Sequence, residues 1–193
     1  MHYDNIEIGT SNWNTLIQDT RIKGNGICVE PNKEQIDMLP DREGWKKINV
    51  ALGYDGVAIL HKVEQEHIPV GKKHLGGTST IDQPIINTQA RELPTITCEV
   101  ECQSGQTFVK KNNITSIGLL KLDCENYDST ILIQILEVVT EIGQIQIESG
   151  HYNYWGRVNN KHIIDYVDAL RLLEARSYSH EVKKGDTLWT HGK

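Results

Sequence analysis

Residues 3–12, read as YDNIEIGTSN, constrain the fold more than any other stretch of the chain. Ile6 and Ile8 bracket Glu7, and the apolar run breaks at Gly9 into Thr10, Ser11 and Asn12. A buried strand of about five residues, a glycine turn and then N-cap residues opening a helix make the first half of a βαβ unit. In such folds ligands sit beyond the carboxyl ends of the strands, where the first loop meets a helix N-terminus. Gly9 lets the backbone approach a ligand with no Cβ in the way. An ordinary strand–turn–helix without a ligand would use the same residues, so the rest of the chain has to decide.

The pattern continues downstream. Residues 12–20 predict a short helix ended by the Lys23-Gly24-Asn25-Gly26 turn. Residues 26–30 (GICVE) read as a second strand ending in an acid. Pro31 suits the first turn of a helix over 32–39, and Pro40 marks its end. Residues 46–52 (KKINVAL) read as a third strand. Strands alternating with short helices imply a parallel sheet with right-handed crossovers.

The middle of the chain reads differently. Residues 54–60 and 68–70 predict short antiparallel strands or a hairpin, with a glycine-rich loop over 75–82 and a strand over 95–100. This β-rich part, about 54–115, reads as an insertion into one domain spanning 1–193. Order returns with a strand over 118–123 (GLLKLD) and a helix over 130–142 with a broad apolar face. A fifth strand over 144–148 (QIQIE), a helix over 162–176 and a final strand or hairpin around Gly185 complete the reading.

At 193 residues the chain is long enough to bury a substantial core. Its formal net charge is −6, from 26 acidic and 20 basic residues, so the basic footprint of a nucleic-acid binder is missing. No apolar run approaches the length of a membrane span, and the polar N-terminus does not read as a signal peptide. Of the four cysteines, Cys28 and Cys124 read as buried hydrophobes, and Cys98 and Cys102 lack the spacing of a zinc site. No metal, nucleic-acid or membrane partner is therefore expected, and the compartment is expected to be reducing and cytoplasmic.

Glu7, Glu30, Asp123 with Glu125, and Glu148 all fall at predicted strand ends. In a parallel sheet those ends share one edge, so the carboxylates converge although they are far apart in sequence. An acid after the second strand has a particular use, because a carboxylate accepts two hydrogen bonds from a ribose diol. Glu30 occupies that position, about twenty residues after the glycine turn.

The strings IEIGTSN, CVEPN, INVALG and GLLKLDCENYDSTIL follow one another in the order seen in the FkbM-like family of S-adenosylmethionine-dependent methyltransferases. The chain resembles that family from Asp4 to about Glu148. The resemblance implies a Rossmann-like class I methyltransferase fold, α/β, with a mostly parallel sheet and helices on both faces. It implies S-adenosylmethionine as cofactor and methyl transfer to a hydroxyl on a sugar, glycan or small natural product. Carried over residue by residue, Glu7 and the Gly9, Thr10, Ser11 and Asn12 turn would face the methionine part. Glu30 would hold the ribose, with Pro31 and Asn32 shaping the adenosine edge and Asn49, Ala51 and Leu52 against the adenine. Thr78 and Ser79 would belong to a loop near the site. Asp123 and Glu125 would border the methyl and the acceptor, with Asp123, Glu125 or His151 as candidate base.

The sequence departs from the family pattern in having a single glycine in the first turn and Asn126 where glycine is common. Asparagine tolerates a left-handed turn. The absence of N-terminal helices ahead of the first strand leaves room for an open acceptor site, or one completed by a partner or a second copy. Two other readings remain: a methyltransferase-fold interaction module without activity, and a nicotinamide-dependent oxidoreductase. The missing G-x-G-x-x-G disfavours the latter.

Overall fold

The computed structural model describes the chain except for residues 12–13, 73–74, 76, 82–89, 125–126, 149–159, 184–185 and 193. Glu125, His151 and Asn12, all candidates above, therefore lie outside the described residues. So does Gly185.

The larger sheet has seven strands. The first three are β1 (His2–Ile8), β2 (Gly26–Val29) and β3 (Trp45–Ile48). The next two are β8 (Ser116–Leu122) and β9 (Glu141–Glu148), and the last two are β10 (Tyr178–Lys183) and β11 (Asp186–His191). Their order is β10-β11-β9-β8-β1-β2-β3. The sheet is mixed. β3–β2, β2–β1, β1–β8 and β8–β9 pair in parallel, whereas β11 runs antiparallel to both β9 and β10. Strands covered on both faces read as continuous apolar runs, and all four residues of β2 are buried.

A second sheet is built from β4 (Ala51–Leu52), β5 (Gly56–Val63), β6 (Thr80–Ile81) and β7 (Thr95–Gln103), in the order β4-β7-β5-β6. Its small core is Ala51, Ala58, Leu60, Ile81 and Cys102. The helices are α1 (Lys33–Asp37), α2 (Gly105–Lys111), α3 (Asp128–Val138) and α4 (Asn160–Ala175). α3 packs against α2 and α4 and fully buries Ile131, Leu132, Ile135 and Leu136. Each such side chain contributes about 1.5–3 kcal/mol of burial. Gln134 ties α3 to the turn after β4 and to the start of α2. Its Nε2 donates to the Gly53 carbonyl at 2.8 Å and its Oε1 accepts the Gly105 N–H at 2.6 Å.

Several expectations need correction. The described part of 12–20 is a series of turns rather than a helix. Asn14 takes a positive φ of 55°, and the Leu16 N–H donates to the Glu7 carboxylate instead of to a helical carbonyl. The predicted third strand splits, with β3 in one sheet and β4 in the other. At the break, the Asn49 amide donates to the carbonyls of Glu30 and Pro31 at 2.8 and 2.9 Å. Residues 68–70 are a bend and turn. α2 was not foreseen at all. Ser104 caps it by accepting the Thr107 N–H, and Asp55 in turn accepts from the Ser104 amide and hydroxyl and from the Thr107 hydroxyl. α3 ends at Val138, and Glu141 and Ile142 belong to β9.

Candidate functional site

The carboxyl ends of β1, β2 and β8 meet at Gly9. The Asp123 N–H donates to the Ile8 carbonyl at 3.0 Å, and the Gly9 and Thr10 amides both donate to the Val29 carbonyl. Gly9 has φ +78°, and a Cβ there would lie 1.9 Å from the Asp123 carbonyl oxygen. Only glycine fits both the backbone conformation and the space. Beyond this junction opens a cavity of about 240 Å³, near the lower end of small-molecule pockets, which start at roughly 300 Å³.

Glu30 follows β2 directly and lines this cavity. Its side chain is buried, yet none of its described partners is a cation. Oε2 accepts the Ser11 N–H at 2.9 Å and Oε1 accepts the Asn32 N–H at 2.8 Å. Burial raises its pKa from 4.5 to about 7, the two amides pull it back, and the charge of Asp123 adds to the rise. A carboxylate has about four lone-pair sites, so two amides leave capacity for a ligand.

Glu7 is also buried but is placed elsewhere. Its Oε1 accepts from the Lys121 ammonium at 2.6 Å and its Oε2 from the Leu16 N–H at 2.7 Å. Burial raises its pKa while the Lys121 charge opposes the rise. Glu7 is not part of the cavity wall, whereas Lys121 is. Asp128, at the start of α3, is a further buried acid. It accepts the Cys124 N–H at 2.7 Å, and burial followed by the Asp123 charge raises it to about 7. Asp123 is thus felt by Glu7, Glu30 and Asp128 alike.

The structure brings Gly9, Thr10, Ser11, Glu30, Pro31, Ala51, Leu52, Thr78, Ser79 and Asp123 into one cavity wall. It does not bring Glu7, Asn32 or Asn49 there. Asn32 caps α1 and offers its N–H to Glu30, and Asn49 pins the carbonyls of Glu30 and Pro31. Both therefore position Glu30 rather than face the cavity. Sequence reasoning gave no role to Asn14, Gly77, Lys121, Cys124 or Tyr127, which also line it. Two glycines carried a readable signal. A Cβ on Gly53 would sit 2.9 Å from the Tyr127 ring, and one on Gly77 would sit 2.8 Å from the Ser11 Cβ. Gly77 thereby lets the 77–79 segment close against the first turn.

The wall divides chemically. Val50, Ala51, Leu52 and Ile81 form an apolar side, while Glu30 and Asp123 form an acidic one. The Ser79 hydroxyl oxygen is buried and has no hydrogen-bond partner. A buried hydroxyl without a partner carries a desolvation cost that a ligand atom would remove.

The methyltransferase FkbM domain matches residues 4–179, and the chain belongs to that family. It is a methyltransferase of α/β fold at the level the family defines. No curated protein and no solved structure matches the chain. No helix among the described residues is long and apolar enough to cross a membrane.

Proposed function

We propose that the protein transfers a methyl group from S-adenosylmethionine to a hydroxyl oxygen on a sugar or small natural product. The observation that carries this reading is Glu30, a buried carboxylate held by two backbone amides, without a cation, on the wall of the cavity. The strand order β3-β2-β1-β8-β9-β11-β10, with β11 reversed, supports a Rossmann-like class I methyltransferase architecture. None of the four cysteines forms a disulfide, in keeping with a reducing compartment such as the cytoplasm.

When bound, the cofactor supplies a methyl group on a cationic sulfonium. Glu30 would accept the ribose hydroxyls with its remaining lone pairs, and Val50, Ala51, Leu52 and Ile81 would exclude water from the adenine. The Gly9–Ser11 backbone would border the methionine part, and Ser79 Oγ would offer it a donor. Asp123 on the cavity wall would supply negative charge that favours a bound cation in a low-dielectric cleft. The acceptor alcohol gives up its proton to a base, and Asp123 is the candidate on the described wall, beside Glu125 and His151 of the sequence reading. Most of the rate comes from holding the acceptor oxygen in line with the methyl.

Isothermal titration with S-adenosylhomocysteine, with NAD as comparator, tests the reading. Binding of the first at about 1 mM or tighter, without binding of the second, is expected. No heat from S-adenosylhomocysteine at that concentration would overturn the proposal.

A further inference from the structure

The four-stranded sheet has a long free edge. β7 runs over Thr95–Gln103, yet β4 pairs only with its last two residues, Cys102 and Gln103. Residues 95–101 pair with β5 on one side, and among the described residues no strand pairs with them on the other. Thr95, Ile96, Thr97, Cys98 and Glu99 are exposed one after another, where a strand covered on one face would alternate. An uncovered edge of this length is a template for another strand, and natural proteins usually guard such edges with lysine or proline. β3, at an edge of the larger sheet, is guarded in that way by the exposed Lys46 and Lys47. Residues 95–101 (TITCEVE) contain neither lysine nor proline.

The same seven residues complement themselves. Antiparallel pairing about Cys98 sets Ile96 opposite Val100, Thr97 opposite Glu99 and Thr95 opposite Glu101. Cys98 then faces its own copy. Opposite residues on antiparallel strands share a face, so this register keeps the apolar side of the sheet continuous. On β7 that side carries Ile96, Cys98 and Val100, which stand opposite Lys62, Leu60 and Ala58 of β5. Moving the axis to Thr97 brings Pro94 into the ladder once it spans seven residues, and Pro94 cannot donate. Moving it to Glu99 sets two carboxylates face to face and reaches into the part that β4 covers. We infer that the protein associates with a second copy of itself through the β7 edge, the two four-stranded sheets joining into one across a twofold axis at Cys98.

Sedimentation equilibrium on the full chain tests this. At about 100 µM the wild type is expected to have twice the monomer mass. Cys98→Lys sets two like charges opposite each other at the axis and should return the mass to that of a monomer. Its far-ultraviolet spectrum should stay that of the parent, because Cys98 is exposed. Cys98→Ser should remain a dimer. Opposed residues on antiparallel strands have Cα atoms about 4.5–5.5 Å apart, within disulfide range. Diamide should therefore link the two copies of the wild type. Two thiols give up two protons and two electrons, one S–S bond forms, and diamide is reduced to the hydrazine. A wild type that stays monomeric overturns the inference. So does a dimer that Cys98→Lys leaves intact, or one that diamide does not link at Cys98.

Discussion

The carboxyl ends of β1 and β2 each carry a buried glutamate, and the two are used in opposite ways. Glu7 is 1% exposed, accepts from a lysine ammonium and a backbone amide, and is not part of the cavity wall. Glu30 is 4% exposed, has backbone amides as its partners among the described residues, and lines the cavity. A buried charge without a counter-ion is costly, and a fold retains one more readily where a ligand completes its surroundings. An acid at a strand end is therefore not a site in itself. What it is paired with, and which side of the strand it faces, decide its role.

The most severe way to break this contrast is to take away the partner of Glu7. Lys121→Met should destabilise the chain by about 3–5 kcal/mol, since it leaves a buried carboxylate with only the Leu16 amide. Urea unfolding would measure it. The double variant Glu7→Met, Lys121→Met should recover much of that loss, because an apolar pair can replace a buried ion pair. If Lys121→Met unfolds at the parent's midpoint, the Glu7–Lys121 pair does not stabilise the fold.

Gly9→Ala should rank next. The left-handed φ costs about 1–3 kcal/mol, and the clash with the Asp123 carbonyl must also be relieved by moving β1 from β8. Ligand affinity should fall along with stability, because Gly9 and Asp123 share the cavity wall.

How far these two ends could be read from sequence follows from the same physics. β1, β2 and β8 were legible because Ile6 and Ile8, Ile27 and Val29, and Leu120 and Leu122 put buried apolar side chains at every second residue. Gly9 and Glu30 were legible as a turn and an acid at a fixed spacing. The role of Glu7 was not, because Lys121 is 114 residues away and their pairing depends on the register of β1 against β8. The turns after Gly9 were misread as a helix for a related reason. The side chain that takes the Leu16 N–H belongs to β1, not to the segment itself. The break between β3 and β4 was hidden inside a continuous apolar run, where only Asn49 marked it. α2 carried a usable signal, the Ser104 cap with Phe108 and Val109 behind it, but lay in a stretch whose β-branched residues dominated the reading.

Glu30→Ala sharpens the comparison from the other side. Each hydrogen bond to a charged group contributes about 1.5–3 kcal/mol, so cofactor affinity should fall by at least tenfold. Glu7→Ala should affect affinity less than stability, the reverse of Glu30→Ala. Calorimetry with S-adenosylhomocysteine beside thermal melting separates the two. Equal losses of affinity in both variants would erase the distinction.

The smallest effect is the pH dependence, and it distinguishes Glu30 from its acidic neighbours. Burial raises Glu30 from 4.5 and Asp128 from 3.8, each to about 7. A carboxyl raised on folding adds stability that is fully present below its unfolded pKa and is lost as pH rises through the folded one. The unliganded protein should therefore lose stability between about pH 4 and pH 8, with both acids contributing. Ligand binding should run the other way. A ribose diol and a sulfonium favour ionised Glu30, so affinity should rise through about pH 7 and differ by about tenfold between pH 6 and pH 8. Asp123 and Lys121 also line the cavity, and Glu7 stands behind it, so the slope needs an assignment by mutation. Asp128→Asn keeps an oxygen for the Cys124 N–H and should retain the slope of affinity while reducing the slope of stability. Glu30→Gln should bind more weakly than the parent above pH 7 and show no slope near pH 7. If the slope survives in Glu30→Gln and vanishes in Asp128→Asn, the group that senses the ligand is Asp128, and the contrast between β1 and β2 moves to the end of β8.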